Sequence, residues 1–98
     1  MTLHPEVQAL LDDLRSLERL LARHDEFWAA HIRASADEIA HSDAHGLRRL
    51  LGLFGGMGSL NDLVLQQGGT PLLAENDELD ALRTSVWEKA YALRREAS

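Results

Sequence analysis

Residues 54–62 read Phe-Gly-Gly-Met-Gly-Ser-Leu-Asn-Asp and separate two leucine-rich parts of the chain. Three glycines so close together are unfavourable within a helix, because glycine loses more backbone freedom on folding than any other residue. The pattern predicts that a helix ends near Phe54 and that the backbone then bends back sharply. The helices on either side can then close over a shared apolar interior. We call residues 55–62 the glycine corner.

Upstream of the corner, apolar residues recur every three or four positions, the spacing of one helix face. The first stripe predicts a helix over residues 4–23, with Pro5 in its first turn, where proline is tolerated. A second stripe follows Asp25, a good helix-capping residue, and predicts a second helix that folds back onto the first near His24. The stripe residues are Leu10, Leu14, Leu17, Leu21, Trp28, Ile32 and Ile39.

Capping residues mark the remaining helices. Ser42 or Asp43 is expected to cap a short third helix that ends at the glycine corner, and Asn76 or Asp77 a long last helix. Within the corner, Ser59 and Asp62 have the spacing at which two side chains cap each other's free backbone N–H groups.

Residues 63–73 are less regular. Leu63-Val64-Leu65 fits either a helical turn or a short strand, and residues 67–71, Gln-Gly-Gly-Thr-Pro, predict a turn. The sequence therefore predicts one all-α domain over residues 1–98. It is a small bundle of four to five helices with the corner after the third and, as one of two alternatives, a short extended segment near 63–73.

The amino-acid composition and the net charge exclude several classes of protein. The 98 residues are 45% hydrophobic and 27% charged, as in an ordinary soluble domain, and they include no cysteine for disulfides or zinc. No apolar run is long enough to span a bilayer, and the start of the sequence lacks a signal-peptide pattern, so we expect a cytoplasmic protein without membrane contact. The net charge of −6, without clustered Lys and Arg, argues against nucleic acid and favours basic partners.

The run Gly-Gly-Met-Gly-Ser-Leu-Asn-Asp at residues 55–62, with Trp28 upstream and an asparagine cap before the last helix, resembles a family of short bacterial proteins of unknown function. The resemblance extends from about Trp28 to Leu93. It implies a shared fold, and it carries no activity, cofactor or site residue with it.

The glycine corner is also the first candidate site. Consecutive glycines before a helix can point backbone N–H groups at a phosphate or carboxylate. The run lacks the lysine of a phosphate-binding loop, and an acid within it would repel an anion. The alternative is a purely structural corner, and both alternatives stay open. The candidate residues are Gly55, Gly56, Gly58, Ser59, Asn61 and Asp62.

A second constellation consists of Asp37, His41 and His45, which share one face if the helix continues through them. Carboxylate and imidazole at this spacing can hold a divalent metal. The residues Ser42, Asp43 and Gly46 instead indicate a break, and with it a polar elbow between two helices. We therefore expect neither a metal nor a cofactor.

Two functions remain. The first is a non-catalytic interaction module that binds another protein or a second copy of itself, for example as an immunity- or antitoxin-like protein against a basic enzyme. The alternative is a small anion- or ligand-binding protein that uses the backbone of Gly55–Asp62. No Ser-His-Asp pattern or nucleophile elbow predicts an enzyme.

Overall fold

The computed structural model describes residues 4–55 and 58–97. In these residues the chain forms four α-helices, α1 (Pro5–Ala22), α2 (Glu26–Ala40), α3 (Ala44–Gly52) and α4 (Leu73–Ala97). Between α3 and α4 lie a 3-10 turn (Leu60–Asp62) and a two-stranded antiparallel ribbon of β1 (Gln66–Gln67) and β2 (Thr70–Pro71). The predicted small helical bundle, with a short extended segment after the corner, is confirmed.

Helix α1 forms the centre of the bundle, because it packs against both α2 and α4. Its apolar face is completely buried at Leu10, Leu14, Leu17, Leu20 and Leu21. The ring of His4 accepts the N–H of Glu6 at 3.2 Å and caps the first turn. The helix predicted over residues 4–23 is therefore present, with each end shifted by one residue.

The chain then folds back, as the sequence predicted. Asp25 accepts the backbone N–H of Trp28 at 3.3 Å and starts α2. Salt bridges of 2.9 Å join Arg15 to Asp37 and Glu18 to Arg33. The later residue of α1 is thus paired with the earlier residue of α2. This order is that of an antiparallel pair.

Helix α2 ends in a tight left-handed turn at Ser42, which has a φ of +60°. The N–H groups of Asp43 and Ser42 return to the carbonyls of Glu38 and Ile39, at 2.9 and 3.0 Å. This is the arrangement in which a helix end usually carries glycine. Of the two residues predicted to cap α3, the structure selects Asp43, whose carboxylate accepts the N–H of His45 at 2.9 Å.

The last helix begins earlier than predicted. Helix α4 starts at Leu73, so neither Asn76 nor Asp77 is its cap, and that prediction was wrong. The physical reason is a competing partner, because the Oδ1 of Asn76 accepts the N–H of Leu65 and not an N–H of the helix start. The residues from Leu63 to Leu65 are neither helix nor strand, and they lead into the ribbon.

Candidate functional site

The glycine corner bends the chain back onto the end of α3. The N–H of Leu60 donates to the carbonyl of Leu53 at 2.8 Å, and the amide Nδ2 of Asn61 donates to the carbonyl of Phe54 at 3.0 Å. These two bonds tie the far side of the corner to the last turn of the helix. Gly56, one of the predicted site residues, lies outside the described residues.

The predicted reciprocal caps of Ser59 and Asp62 do not form. The Asp62 carboxylate accepts the N–H of Gly58 at 2.8 Å, and the Ser59 side chain makes no capping bond. The N–H of Asp62 donates to the backbone carbonyl of Ser59 at 3.0 Å, and the hydroxyl of Ser59 is therefore not its acceptor. Gly58 has a φ of +73°, a left-handed conformation in which its N–H faces Asp62.

This geometry limits what the corner can bind. The N–H of Gly58 already has a carboxylate partner from the same chain, and the N–H of Gly55 donates to the carbonyl of Gly52 at 3.4 Å. A phosphate or carboxylate ligand at Gly58 would have to displace Asp62. The Asp62 carboxylate and the Asn61 Nδ2 therefore stabilise the turn of the corner itself.

Arg83 of α4 holds the corner from the other side. Its Nη1 donates to the carbonyls of Leu60 and Leu63, at 2.7 and 2.9 Å, and its Nη2 donates to the carboxylate of Asp80. Only 13% of the Arg83 side chain is exposed. Sequence reasoning missed this residue, because nothing local distinguishes it from the exposed arginines of the chain.

An open groove of about 480 Å³ lies between the corner and α4. Trp87 is 40% exposed at this groove, and its ring centroid is 5.4 Å from that of the buried Phe54. The α4 residues of the groove share one helix face because they recur at steps of three and four. The lining consists of Phe54, Asn61, Asp80, Arg83, Thr84, Trp87 and Glu88.

The electrostatics of the groove are acidic. The charges of Asp80 and Arg83 compensate each other in a salt bridge. Glu88 makes no hydrogen bond or ion pair with any other described residue, so its carboxylate charge is uncompensated. The groove therefore offers one aromatic face and a net negative charge to an incoming group.

The three residues considered as possible metal ligands, Asp37, His41 and His45, each make other polar contacts. Asp37 bonds to Arg15 at 2.9 Å, and this hydrogen bond is the main reason that the pKa of Arg15 is raised above its usual range. The ring of His41 lies 2.7 Å from the carbonyl of Asp37, and that of His45 lies 2.8 Å from the carboxylate of Glu38. Among the described residues, no group of three or more His, Asp or Glu side chains is arranged to hold a metal. Because α2 ends at Ala40 and α3 begins at Ala44, Asp37, His41 and His45 do not continue along one helix face. The connection between the two helices is a polar elbow.

The fold and the groove define a small helical-bundle domain with an acidic, aromatic groove between its glycine corner and its last helix. The chain belongs to the family described as a domain of unknown function (DUF6966), whose model matches residues 21–73. No curated protein and no solved structure matches the chain.

The match confirms that the chain resembles a family of unknown function, over a range that ends at Leu73 and not near Leu93 as expected. It runs from the end of α1 through the corner to the first residue of α4, and so contains Phe54 and Asn61 of the groove. The groove residues on α4 lie beyond it. Within residues 4–55 and 58–97, no helix is both long and apolar enough to cross a bilayer.

Proposed function

We propose that this protein is a non-catalytic interaction module that binds a basic segment of a partner protein in the groove between the glycine corner and α4. The observation that carries the proposal is the exposed indole of Trp87 in the same groove as the uncompensated carboxylate of Glu88.

The chemistry of these two groups is complementary to a cation. The face of an indole attracts a positively charged side chain, and a nearby carboxylate adds a charge-assisted hydrogen bond. Tryptophan is also among the residues that contribute most to binding at protein interfaces. The net charge of −6 would steer a basic partner towards the whole molecule.

The same charge argument favours a different protein over a second copy of this chain. A second copy brings its own net charge of −6 to the contact, and like charges repel. A basic enzyme is one partner of the required kind, and this chain would then be immunity- or antitoxin-like. A bacterial source and a cytoplasmic setting belong to the proposal and rest on the sequence alone.

The anion- or ligand-binding alternative has less support. It needs free N–H groups in the corner, and the N–H of Gly58 is bound by Asp62. The groove beside the corner offers negative charge, which repels the same ligands. The geometry therefore favours the interaction module.

Calorimetric titration with designed peptides tests the proposal. The probe is a nonapeptide in which lysine and arginine alternate with glycine and serine, and its counterpart carries glutamate at every basic position. At about 0.15 M salt, where distant surface charges are screened, we expect the basic peptide to bind and the acidic one not to bind.

Matched variants locate the binding site. Glu88→Gln and Trp87→Leu should each weaken binding of the basic peptide by about fivefold or more. Glu78→Gln removes the same charge from another face of α4, and Phe27→Leu removes another exposed aromatic ring, so both should bind normally. Absence of binding at millimolar peptide, or an equal loss in the control variants, would contradict the proposal.

A further inference from the structure

We infer that the group bound in the groove is an arginine side chain of the partner, in preference to lysine. This inference rests on the proposed function and names the chemistry of its partner. Three features support it: the polar groups free in the groove, the exposed ring, and a stack of rings and guanidinium groups along α4.

The free polar groups of the groove can accept hydrogen bonds. Asn61 uses its Nδ2 to bind the backbone of the corner, and its Oδ1 accepts no hydrogen bond from another described residue. The carboxylate of Glu88 and the hydroxyl of Thr84 make no hydrogen bond to other described residues. By contrast, the Nη donors of Arg83 are directed to backbone carbonyls and to Asp80. A ligand that supplies several donors therefore fits this lining.

The guanidinium group matches this lining better than an ammonium group does. It carries five N–H donors in one plane, so its flat face can lie on an indole while its edge donates to acceptors around the ring. The lysine ammonium is a compact and strongly hydrated charge that does not stack. Trp87 and the acceptors Asn61, Thr84 and Glu88 line the same groove, and of the two cationic side chains only arginine combines stacking with several donors in one plane.

The chain already shows the same arrangement one turn along α4. The rings of Trp87 and Tyr91 are stacked with centroids 5.8 Å apart and an angle of 23° between their planes. The guanidinium carbons of Arg94 and Arg95 lie 5.4 and 5.6 Å from the centroid of the Tyr91 ring. A partner arginine on Trp87 would extend this series of rings and cations towards Asp80.

The test compares three otherwise identical nonapeptides of glycine and serine with three positions occupied by arginine, by lysine or by citrulline, the uncharged analogue of arginine. Calorimetric titration of the full chain should give about tenfold tighter binding for arginine than for lysine, and no binding for citrulline. Thr84→Val should lower the preference for arginine, and Trp87→Leu should abolish it. Circular dichroism and thermal melting of each variant verify that it is folded.

The outcomes separate this inference from the function it rests on. If lysine and arginine peptides bind equally well, the preference for arginine is wrong and the interaction module stands. If citrulline binds as tightly as arginine, charge does not drive recognition and both are wrong. If none of the three peptides binds at millimolar concentration, both are wrong as well.

Discussion

Asn76 binds Leu65 through both ends of its side-chain amide. The Oδ1 of Asn76 accepts the N–H of Leu65 at 2.8 Å, and its Nδ2 donates to the carbonyl of Leu65 at 2.9 Å. The same Nδ2 lies 2.9 Å from the carbonyl of Leu72, whose own N–H donates to Leu65 at 3.0 Å. One asparagine thus closes the ribbon and connects it to the first turn of α4, which positions the helix that carries the groove.

Replacement of Asn76 should therefore be costly. Asn76→Ala leaves the N–H of Leu65 without its partner in a partly buried place, and the carbonyls of Leu65 and Leu72 each keep only a backbone donor, so we expect a loss of about 2 kcal/mol in the free energy of unfolding. Asp77→Ala changes the next residue, which is exposed, and should alter it by less than about 0.5 kcal/mol. Chemical denaturation measures both values, and equal stabilities for the two variants would contradict the role of Asn76.

Two glycines of α3 should respond oppositely to alanine. A Cβ at Gly46 would lie 2.7 Å from the Cβ of Glu38 and 2.9 Å from the backbone N of Ile39, so Gly46→Ala should cost about 1–3 kcal/mol. A Cβ at Gly52 meets nothing within 4 Å, and Gly52→Ala should stabilise the protein by a few tenths to about 1 kcal/mol. A Gly46→Ala variant as stable as the parent would show that α2 and α3 do not pack this closely.

Ser35 is completely buried in α2, and its hydroxyl has no hydrogen-bond partner among the described residues. Ser35→Ala should therefore raise the free energy of unfolding by about 1 kcal/mol, since alanine removes an unpaired polar group. Ser85 gives the opposite case, because its hydroxyl donates to Asp13 at 2.5 Å and accepts from Lys89 at 2.5 Å. Ser85→Ala should therefore destabilise the protein. If Ser35→Ala destabilises it as well, the hydroxyl of Ser35 is not unpaired.

Arg83 should be the arginine on which the corner depends most. Arg83→Met keeps the length of the side chain but removes the donor of the Leu63 carbonyl and one of the two donors of the Leu60 carbonyl, so we expect a loss of about 2–3 kcal/mol. Arg48→Met is the matched control, because Arg48 is exposed and forms no hydrogen bond, ion pair or ring contact with another described residue. Arg48→Met should melt at the same temperature as the parent protein. If Arg83→Met also melts at that temperature, Arg83 does not anchor the corner.

Sequence periodicity predicted most of the fold, because the relevant forces are local or depend only on the burial of a face. The leucine stripe gave α1 to within one residue at each end. The glycines after Phe54 marked the bend, since glycine favours the turns that end helices. The ribbon at residues 66–71 lies within the segment for which an extended form was one alternative.

The errors differ in range. Asp62 bonds to the N–H of Gly58, the residue next to its predicted partner Ser59, whereas Asn76 bonds to the backbone of Leu65 instead of capping α4. The groove depends on Arg83 and Trp87, which are remote from the corner in sequence and meet it only through the packing of α4. Long-range partners of this kind leave no periodic signal, so the candidate site was placed in the corner alone and the helix beside it was missed.

The most direct test of the central claim is a two-dimensional NMR titration of the labelled protein with N-acetyl-arginine methylamide, followed at the two tryptophan indole N–H signals. Spectra of Trp87→Leu and Trp28→Phe assign the two signals. We expect millimolar ligand to shift the Trp87 indole and the backbone amides of Thr84 and Glu88, and to leave the Trp28 indole unchanged. Shifts confined to other surfaces, or no shifts at all, would contradict the groove as the binding site.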